Sequence, residues 1–286
     1  MKPTFIGLGG QKCASTWLHR VLADHPQAFL SEPKEIDFFS YYFGRGYDWY
    51  ERFFAAASGR QAVGEVSPSY LPHPLAPARA ARYNPDFKIL LAVRDPVERA
   101  YSNHLHMVRE GYLTGPDLSF EYGLARNEMY VEQSRYATHL KCWLQHFATE
   151  RVLVVFQEDI SDAPQEQAQR LYRFLGIDDS FRSEALDQRT NASARARHGG
   201  VATLVKCATT LADRIGLGGV VAAAKKSSLG KSLRAANQED LRTLVPPMRD
   251  ETRHRLVDEF RDEMNDLARM LNRTELPWKS WLQSRK

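Results

Sequence analysis

At 286 residues, 43% apolar and 26% charged, this is an ordinary globular chain, long enough for one large domain or a domain with an appendage. The net charge of +4 suits an anionic ligand, but no basic stripe dominates, which argues against nucleic acid as a partner. Cys13, Cys142 and Cys207 are scattered with no CxxC or Cys/His spacing, which argues against a disulfide framework or zinc site; without a signal-peptide pattern or a run of 18 apolar residues, the expectation is a cytoplasmic protein with no transmembrane segment.

In chain order, Phe5-Ile6-Gly7-Leu8 reads as a strand, Gly9-Gly10-Gln11-Lys12-Cys13 as a small-residue loop, and Ala14–Ala23 as a helix with Trp17, Leu18, Val21 and Leu22 in helical spacing. Such a turn aims backbone N–H groups and a helix N-terminus at an anion, with Lys12 as a mobile cation. The spacing is not that of a Walker A loop, because Lys12 precedes Ser15 by three positions instead of standing directly before a Ser or Thr. Cys13 reads as a small loop residue and not as a nucleophile. In Glu32-Pro33-Lys34-Glu35-Ile36-Asp37-Phe38-Phe39, carboxylates beside a lysine are either a general base with partners or a solvated turn before an aromatic anchor. Gly64-Glu65-Val66-Ser67-Pro68-Ser69-Tyr70-Leu71 is turn-rich and reads as a loop.

Phe87–Val93 is a buried-type strand bounded by Pro85 and Pro96. Arg94-Asp95-Pro96 ends it and opens a helix with Pro96 at its first position. Val97, Tyr101, Leu105 and Val108 form the apolar face of that helix, and Arg99, Ser102, Asn103 and His106 the polar one. Arg94 with Ser102 is a grip for a phosphate, or else the segment is a solvent face with an Arg–Asp turn pair. Arg151–Phe156 is a further strand. Pro164 opens a helix with Ala168, Leu171, Tyr172 and Leu175 on one face, stopped by Gly176. Residues 199–236 are rich in small residues and read as a flap or a helical excursion, and residues 237–286 as C-terminal helices, with Leu256, Phe260, Met264, Leu267 and Leu271 as one core stripe after Pro246-Pro247.

Strands separated by helices predict an α/β chain: a three-layer α/β/α domain with a central parallel sheet. Ligands of such sheets bind outside the carboxyl ends of the strands, where both the Lys12 loop and the Arg94 turn fall.

Together and in order, these four segments resemble the sulfotransferases that use 3′-phosphoadenosine 5′-phosphosulfate (PAPS), above all the branch with the heparan sulfate N- and 3-O-sulfotransferase domains and their bacterial relatives. The resemblance runs from residue 4 to about residue 200, and weakly through the C-terminal helix. It implies the P-loop-like sulfotransferase fold as a single domain over residues 1–286. It also implies that Gly10, Gln11, Lys12, Cys13, Ala14, Ser15, Thr16 and Trp17 cradle the 5′-phosphosulfate, and that Arg94 and Ser102 bind the 3′-phosphate. Glu35 falls on the family's catalytic glutamate before the paired Phe, and His106 on a histidine near the reacting group. Tyr136-Ala137-Thr138-His139-Leu140, with Trp143-Leu144 and Phe147, matches the same branch and reads as structural. Arg195 and Arg197 stand approximately where the family has a late basic segment closing on the donor. The chain departs from the pattern at Val66, where the heparan-type enzymes have a lysine that helps at the acceptor site; Lys34 is the neighbouring cation that would replace it.

The resemblance implies in-line transfer of a sulfuryl group from PAPS to a hydroxyl, or an amine, of a glycan, lipid or small natural product, leaving adenosine 3′,5′-bisphosphate and using no metal. Glu35 would act as base, Lys12 would stabilise the leaving oxygen and His106 would assist the transfer. The rivals are a P-loop-type nucleotide kinase, which needs the Walker spacing and a Mg²⁺ ligand, and a non-catalytic nucleotide-binding module, which would lack the pair Glu35 and His106.

Overall fold

The computed structural model describes residues 1–187, 194–196, 238–240 and 244–285. Two compact units are distinguished: Met1–Asn103, Asn127–Arg189 and Arg249–Lys286 form the first, and His104–Arg126 with Thr190–Met248 the second.

The first unit is built on five parallel strands, β1 (Phe5–Gly7), β2 (Ala28–Leu30), β3 (Ala62–Val66), β4 (Lys88–Val93) and β5 (Val152–Phe156), in the spatial order β2-β3-β1-β4-β5. Phe5 of the central strand pairs with Gly64 on one side and Lys88 on the other. β1 and β3 are buried along their whole length and β4 in all but its first residue, so helices must cover both faces of the sheet; that is the layered α/β architecture expected. The chain leaves β1 toward β2 and β3, then crosses back over β1 to β4. β1 therefore ends at the switch in strand order, where such sheets open a crevice.

Two strands escape the sequence pattern. β2 has three residues, too few for a period. In β3, Gly64-Glu65-Val66 looks polar, so the segment expected as a loop is a strand up to Val66, followed by a short turn of 3₁₀ helix at Pro68–Tyr70.

The α-helices up to residue 175 are α1 (Ser15–Ala23), α2 (Tyr47–Glu51), α3 (Ala76–Tyr83), α4 (Pro96–Arg109), α5 (Phe120–Arg126), α6 (Met129–Glu132), α7 (Tyr136–Leu144), α8 (Gln157–Asp162) and α9 (Pro164–Leu175); α5 and the end of α4 belong to the second unit, the rest to the first. The predicted face of α9 is buried as read. The C-terminal stripe is core from Leu256 to Leu267, with Leu271 half-buried, and it lies on two helices, α10 (Asp250–Glu259) and α11 (Arg261–Met270), with Phe260 at the break and Leu271 just past α11, before α12 (Lys279–Gln283).

α4 differs most from its sequence reading. Arg99, Asn103 and His104 are buried while Ser102 and His106 are half-buried, so the predicted stripe is not a fully solvated face. Arg99 is fully enclosed, and its guanidinium donates to Ser134 Oγ (2.5 Å), Gln133 Oε1 (3.1 Å) and the carbonyls of Met129 and Tyr130, fastening α4 to α6.

In the second unit, Val108 and Val245 are buried against Leu105, Leu113, Leu118 and Leu244. Strands β6 (Ala194–Ala196) and β7 (Gln238–Asp240) pair antiparallel there, with Arg195 opposite Glu239. Arg197 and residues 199–236 lie outside the described residues. No helix among the described residues is long and apolar enough to cross a membrane.

Candidate active site

The Gly9–Ala14 loop leaves the carboxyl end of β1 and stays tied to β4: Leu8 N donates to Leu90 O (2.8 Å) and Gly10 N to Ala92 O (2.9 Å). Cys13 N closes the turn on Gly10 O at 2.9 Å. Lys12 (φ 69°) and Ala14 (φ 65°) adopt the left-handed conformation, which is costly for residues other than glycine. Ala14 occupies the N-cap of α1, and its methyl cannot cap. No side chain bonds the first-turn amides of α1, and no acidic residue lies in that turn. A helix N-terminus left this way suits an anion. Trp17, the third residue of α1, has its Nε1 buried without a hydrogen-bond partner. Ser15 is nearly buried, Thr16 is exposed, and Gln11 and Lys12 are half-buried.

Cys13 is buried with Sγ 3.3 Å from Tyr136 OH, and burial pushes its thiol up to about 11. A thiol held protonated in this way is a spacer and not a nucleophile, as the sequence suggested. Tyr136 proves structural in the sense expected, since its hydroxyl supports the loop from beneath.

Arg94 follows β4 by one residue, two positions beyond the carbonyl that holds Gly10. The Arg–Asp turn pair, the alternative to a phosphate grip, does not form. Asp95 Oδ1 instead caps α4 through Val97 N (3.0 Å) and Glu98 N (3.3 Å), and its Oδ2 accepts from Ser280 N (2.9 Å). Glu158 Oε1 accepts from Asp95 N (3.0 Å) and Oε2 from Trp278 Nε1 (3.1 Å), so the C-terminal segment braces the Arg94 turn. Arg94 and Ser102 are both half-buried.

Glu35 lies in a turn of unusual backbone: Glu35 has φ 66° and Asp37 φ 54°. Four of the five non-glycine residues with positive φ among those described thus sit in the two loops under discussion. The turn is anchored by Phe38 and Phe39, both fully buried, with Phe38 stacked on Tyr50 at 4.5 Å between centroids. Lys34 joins the two loops. Its Nζ lies 2.6 Å from Glu35 Oε1 and 3.4 Å from Ser15 Oγ. The Glu35 side chain remains 43% exposed, open to an incoming group.

Behind the turn stands a residue the sequence reading passed over. Glu65 on β3 is fully buried, accepting from Ser67 Oγ (2.5 Å) and Tyr70 OH (2.6 Å). Burial pushes its carboxyl up to about 7, against the pull of those hydroxyls. A carboxylate set in the apolar run Ala62–Val66 was the available signal.

The first unit therefore brings together the Gly10–Trp17 loop, Lys34, Glu35 and the Arg94 turn at the carboxyl ends of β1 and β4 or beside them. His106 and Arg195 belong to the second unit; His106 Nδ1 lies 2.7 Å from Arg109 Nη2 on its own helix.

Residues 2–196 match the family model described as a sulfotransferase domain. The mouse bifunctional heparan sulfate N-deacetylase/N-sulfotransferase 4 is 27% identical over 308 residues, covering 98% of this chain and 31% of that protein. The human enzyme 2 of the same name is 26% identical over 303 residues with the same coverage. The chain thus spans 31% of the length of these curated relatives. A crystal structure of a sulfotransferase from Alicyclobacillus acidocaldarius has the same fold, with a TM-score of 0.71, 23% identity and full coverage of both chains.

Proposed function

Because the chain belongs to the sulfotransferase domain family, we propose that it moves a sulfuryl group from PAPS to a hydroxyl or amine of an acceptor, with Glu35 as the base. The observation that carries this reading is the Lys34 bridge, which ties the candidate base to the first hydroxyl of the anion loop. A base held beside an anion cradle by a shared cation suits an in-line transfer, which needs the acceptor and donor oriented and the developing charge met.

The residues fit such a donor. The amides at the start of α1, with Ser15 and Thr16, would hold the 5′-phosphate, and Lys12 would meet the charge that develops on the leaving oxygen. Arg94, whose neighbour Asp95 is occupied elsewhere, would bind the 3′-phosphate with Ser102. Glu35 would take the acceptor proton as the new bond to sulfur forms, and adenosine 3′,5′-bisphosphate would leave. Lys34 would hold Glu35 toward the cradle and supply the cation that Val66 does not. His106, Arg195 and Arg197 enter this proposal through the resemblance alone.

The named activity of the relatives is N-sulfation of heparan sulfate, so the acceptor panel includes an N-deacetylated heparan oligosaccharide beside hydroxylated lipids and phenols. Binding is tested first, by thermal shift with adenosine 3′,5′-bisphosphate against ATP with Mg²⁺. Transfer of labelled sulfate from PAPS follows. The bisphosphate should protect, and Glu35→Gln should keep that protection while losing most turnover. Protection by ATP–Mg²⁺ alone would return the chain to the kinase reading, and a fully active Glu35→Gln protein would remove Glu35 as base.

A further inference from the structure

We infer that Glu65 is a positioning residue for the catalytic turn: through the hydroxyls of Ser67 and Tyr70, it holds the backbone that presents Glu35. This rests on the reading of Glu35 as base. The relay has two arms. Ser67 Oγ accepts from Asp37 N (3.0 Å) and donates to Glu65 Oε2; Tyr70 OH accepts from Phe38 N (2.8 Å) and donates to Glu65 Oε1. Each hydroxyl has one proton, and each already receives an amide. The geometry therefore sends both protons to the carboxyl, and both carboxyl oxygens serve as acceptors.

Two features argue that the carboxyl is there for this purpose. A fully buried carboxylate is costly, and no ion pair reaches Glu65 among the described residues, so packing alone would favour an apolar side chain. The turn it holds also needs holding, since Glu35 and Asp37 are both left-handed. A further set of contacts, Ser69 Oγ to Asp37 Oδ1 (2.5 Å) and Ser40 Oγ to Asp37 O (3.1 Å), does not involve Glu65. Loss of the relay should therefore misplace the turn without unfolding it.

The ionisable groups facing Glu65 are Tyr50 from α2, Tyr70 from the turn after β3, and Asp37 from the catalytic turn itself; no basic group is among them. The relay in the form described requires the ionised carboxyl, which burial resists until about pH 7. Turnover should consequently rise with pH through that region.

The variant is Glu65→Gln, which keeps the shape but replaces one acceptor with a donor. Three quantities are read: hydrogen–deuterium exchange of the peptide spanning residues 31–43, affinity for adenosine 3′,5′-bisphosphate, and kcat and KM for PAPS with an N-deacetylated heparan oligosaccharide as acceptor probe. Exchange across Asp37 and Phe38 should speed up, and kcat should fall roughly tenfold to a hundredfold. Nucleotide affinity and the KM for PAPS should stay within about twofold, and the pH dependence near 7 should vanish from kcat. Tyr70→Phe and Ser67→Ala each remove one arm and should show the same pattern in weaker form, which covers a failure of Glu65→Gln to fold. Unchanged exchange with unchanged kcat overturns the inference, and so does a parallel loss of nucleotide affinity. Faster exchange beside a fully active Glu35→Gln protein would instead leave the relay standing and refute the base.

Discussion

Gly10→Ala tests whether the loop after β1 holds the donor. A Cβ at Gly10 would stand 2.7 Å from Cys13 Sγ and 3.0 Å from Ala92 O. Neither atom can retreat. Ala92 O already accepts the Gly10 amide at 2.9 Å within the sheet, and Cys13 is enclosed against Tyr136. The loop must lift from β4 by roughly 0.5–1 Å, at a cost of about 1–3 kcal/mol in stability. A shift of that size misaligns amides aimed at an anion. Losing one charge-assisted hydrogen bond is worth about 1.5–3 kcal/mol, so affinity for adenosine 3′,5′-bisphosphate should fall by roughly tenfold to a hundredfold. Titration calorimetry reads the affinity, and urea denaturation of the same protein reads the stability. Gly44→Ala is the control: nothing lies within 4 Å of its Cβ, and it should change stability by less than about 0.5 kcal/mol. A Gly10→Ala protein that is destabilised but binds the bisphosphate at wild-type affinity would refute the reasoning, because the loop would have moved without the ligand responding.

Other consequences follow from buried groups. Glu65 titrates at about 7 in the folded chain against an ordinary 4.5, so the folded state binds the extra proton between those values. Its contribution to stability is complete below pH 4.5 and is lost as pH rises to about 7, amounting to about 3 kcal/mol; urea titrations of wild type and Glu65→Gln at pH 5 and pH 8 should show that pH-dependent difference, and parallel stability profiles would contradict it. Cys13, with its thiol pushed up to about 11, should resist iodoacetamide at pH 8 until the protein unfolds, whereas exposed Cys142 should react in the native state; peptide mass spectrometry distinguishes them. Arg99→Met should cost about 3 kcal/mol in urea denaturation, since it removes all four hydrogen bonds of the buried guanidinium, although Ser134 Oγ keeps its bonds to Pro96 O and Tyr130 O; a change below about 1 kcal/mol would mean that Arg99 is not the fastening between α4 and α6.

What the sequence disclosed was whatever its own spacing encodes. The β1–loop–α1 unit, β4 with its arginine turn and the α9 face are local patterns, and each appears where it was read. The failures are tertiary. Arg99 looks like any solvent-face arginine until α6 and the two residues after it supply four acceptors, and Asp95 looks like the natural partner of Arg94 until Ser280, 185 residues away, claims one of its oxygens. Glu65 was lost for a related reason. Its strand is short, and the Ser and Tyr that serve it also look like turn residues, so only the pairing of β3 with β1 shows that the carboxyl is inside.

Val66 and Lys34 show the same limit at the site itself. A side chain at position 66 lies beneath the loop: Val66 Cγ2 would touch a Cβ built on Gly7 at 2.8 Å, and Val66 Cγ1 one built on Gly9 at 3.5 Å. The resemblance implies a lysine at this position in the heparan-type enzymes, where it helps at the acceptor site. Valine instead presents apolar atoms there, and the cation proposed to replace the lysine is Lys34, which reaches both Ser15 and Glu35. The two positions are 32 residues apart and share no pattern, so the proposal that Lys34 stands in for the missing lysine rests on its contacts with Ser15 and Glu35 and not on spacing. The relocation has a mechanical consequence. A cation fixed to the sheet would stay in place whatever the turn did, whereas Lys34 moves with Glu35. Every contact that sets the turn, the Ser67 and Tyr70 relay foremost, therefore sets the proposed base Glu35 and Lys34 together.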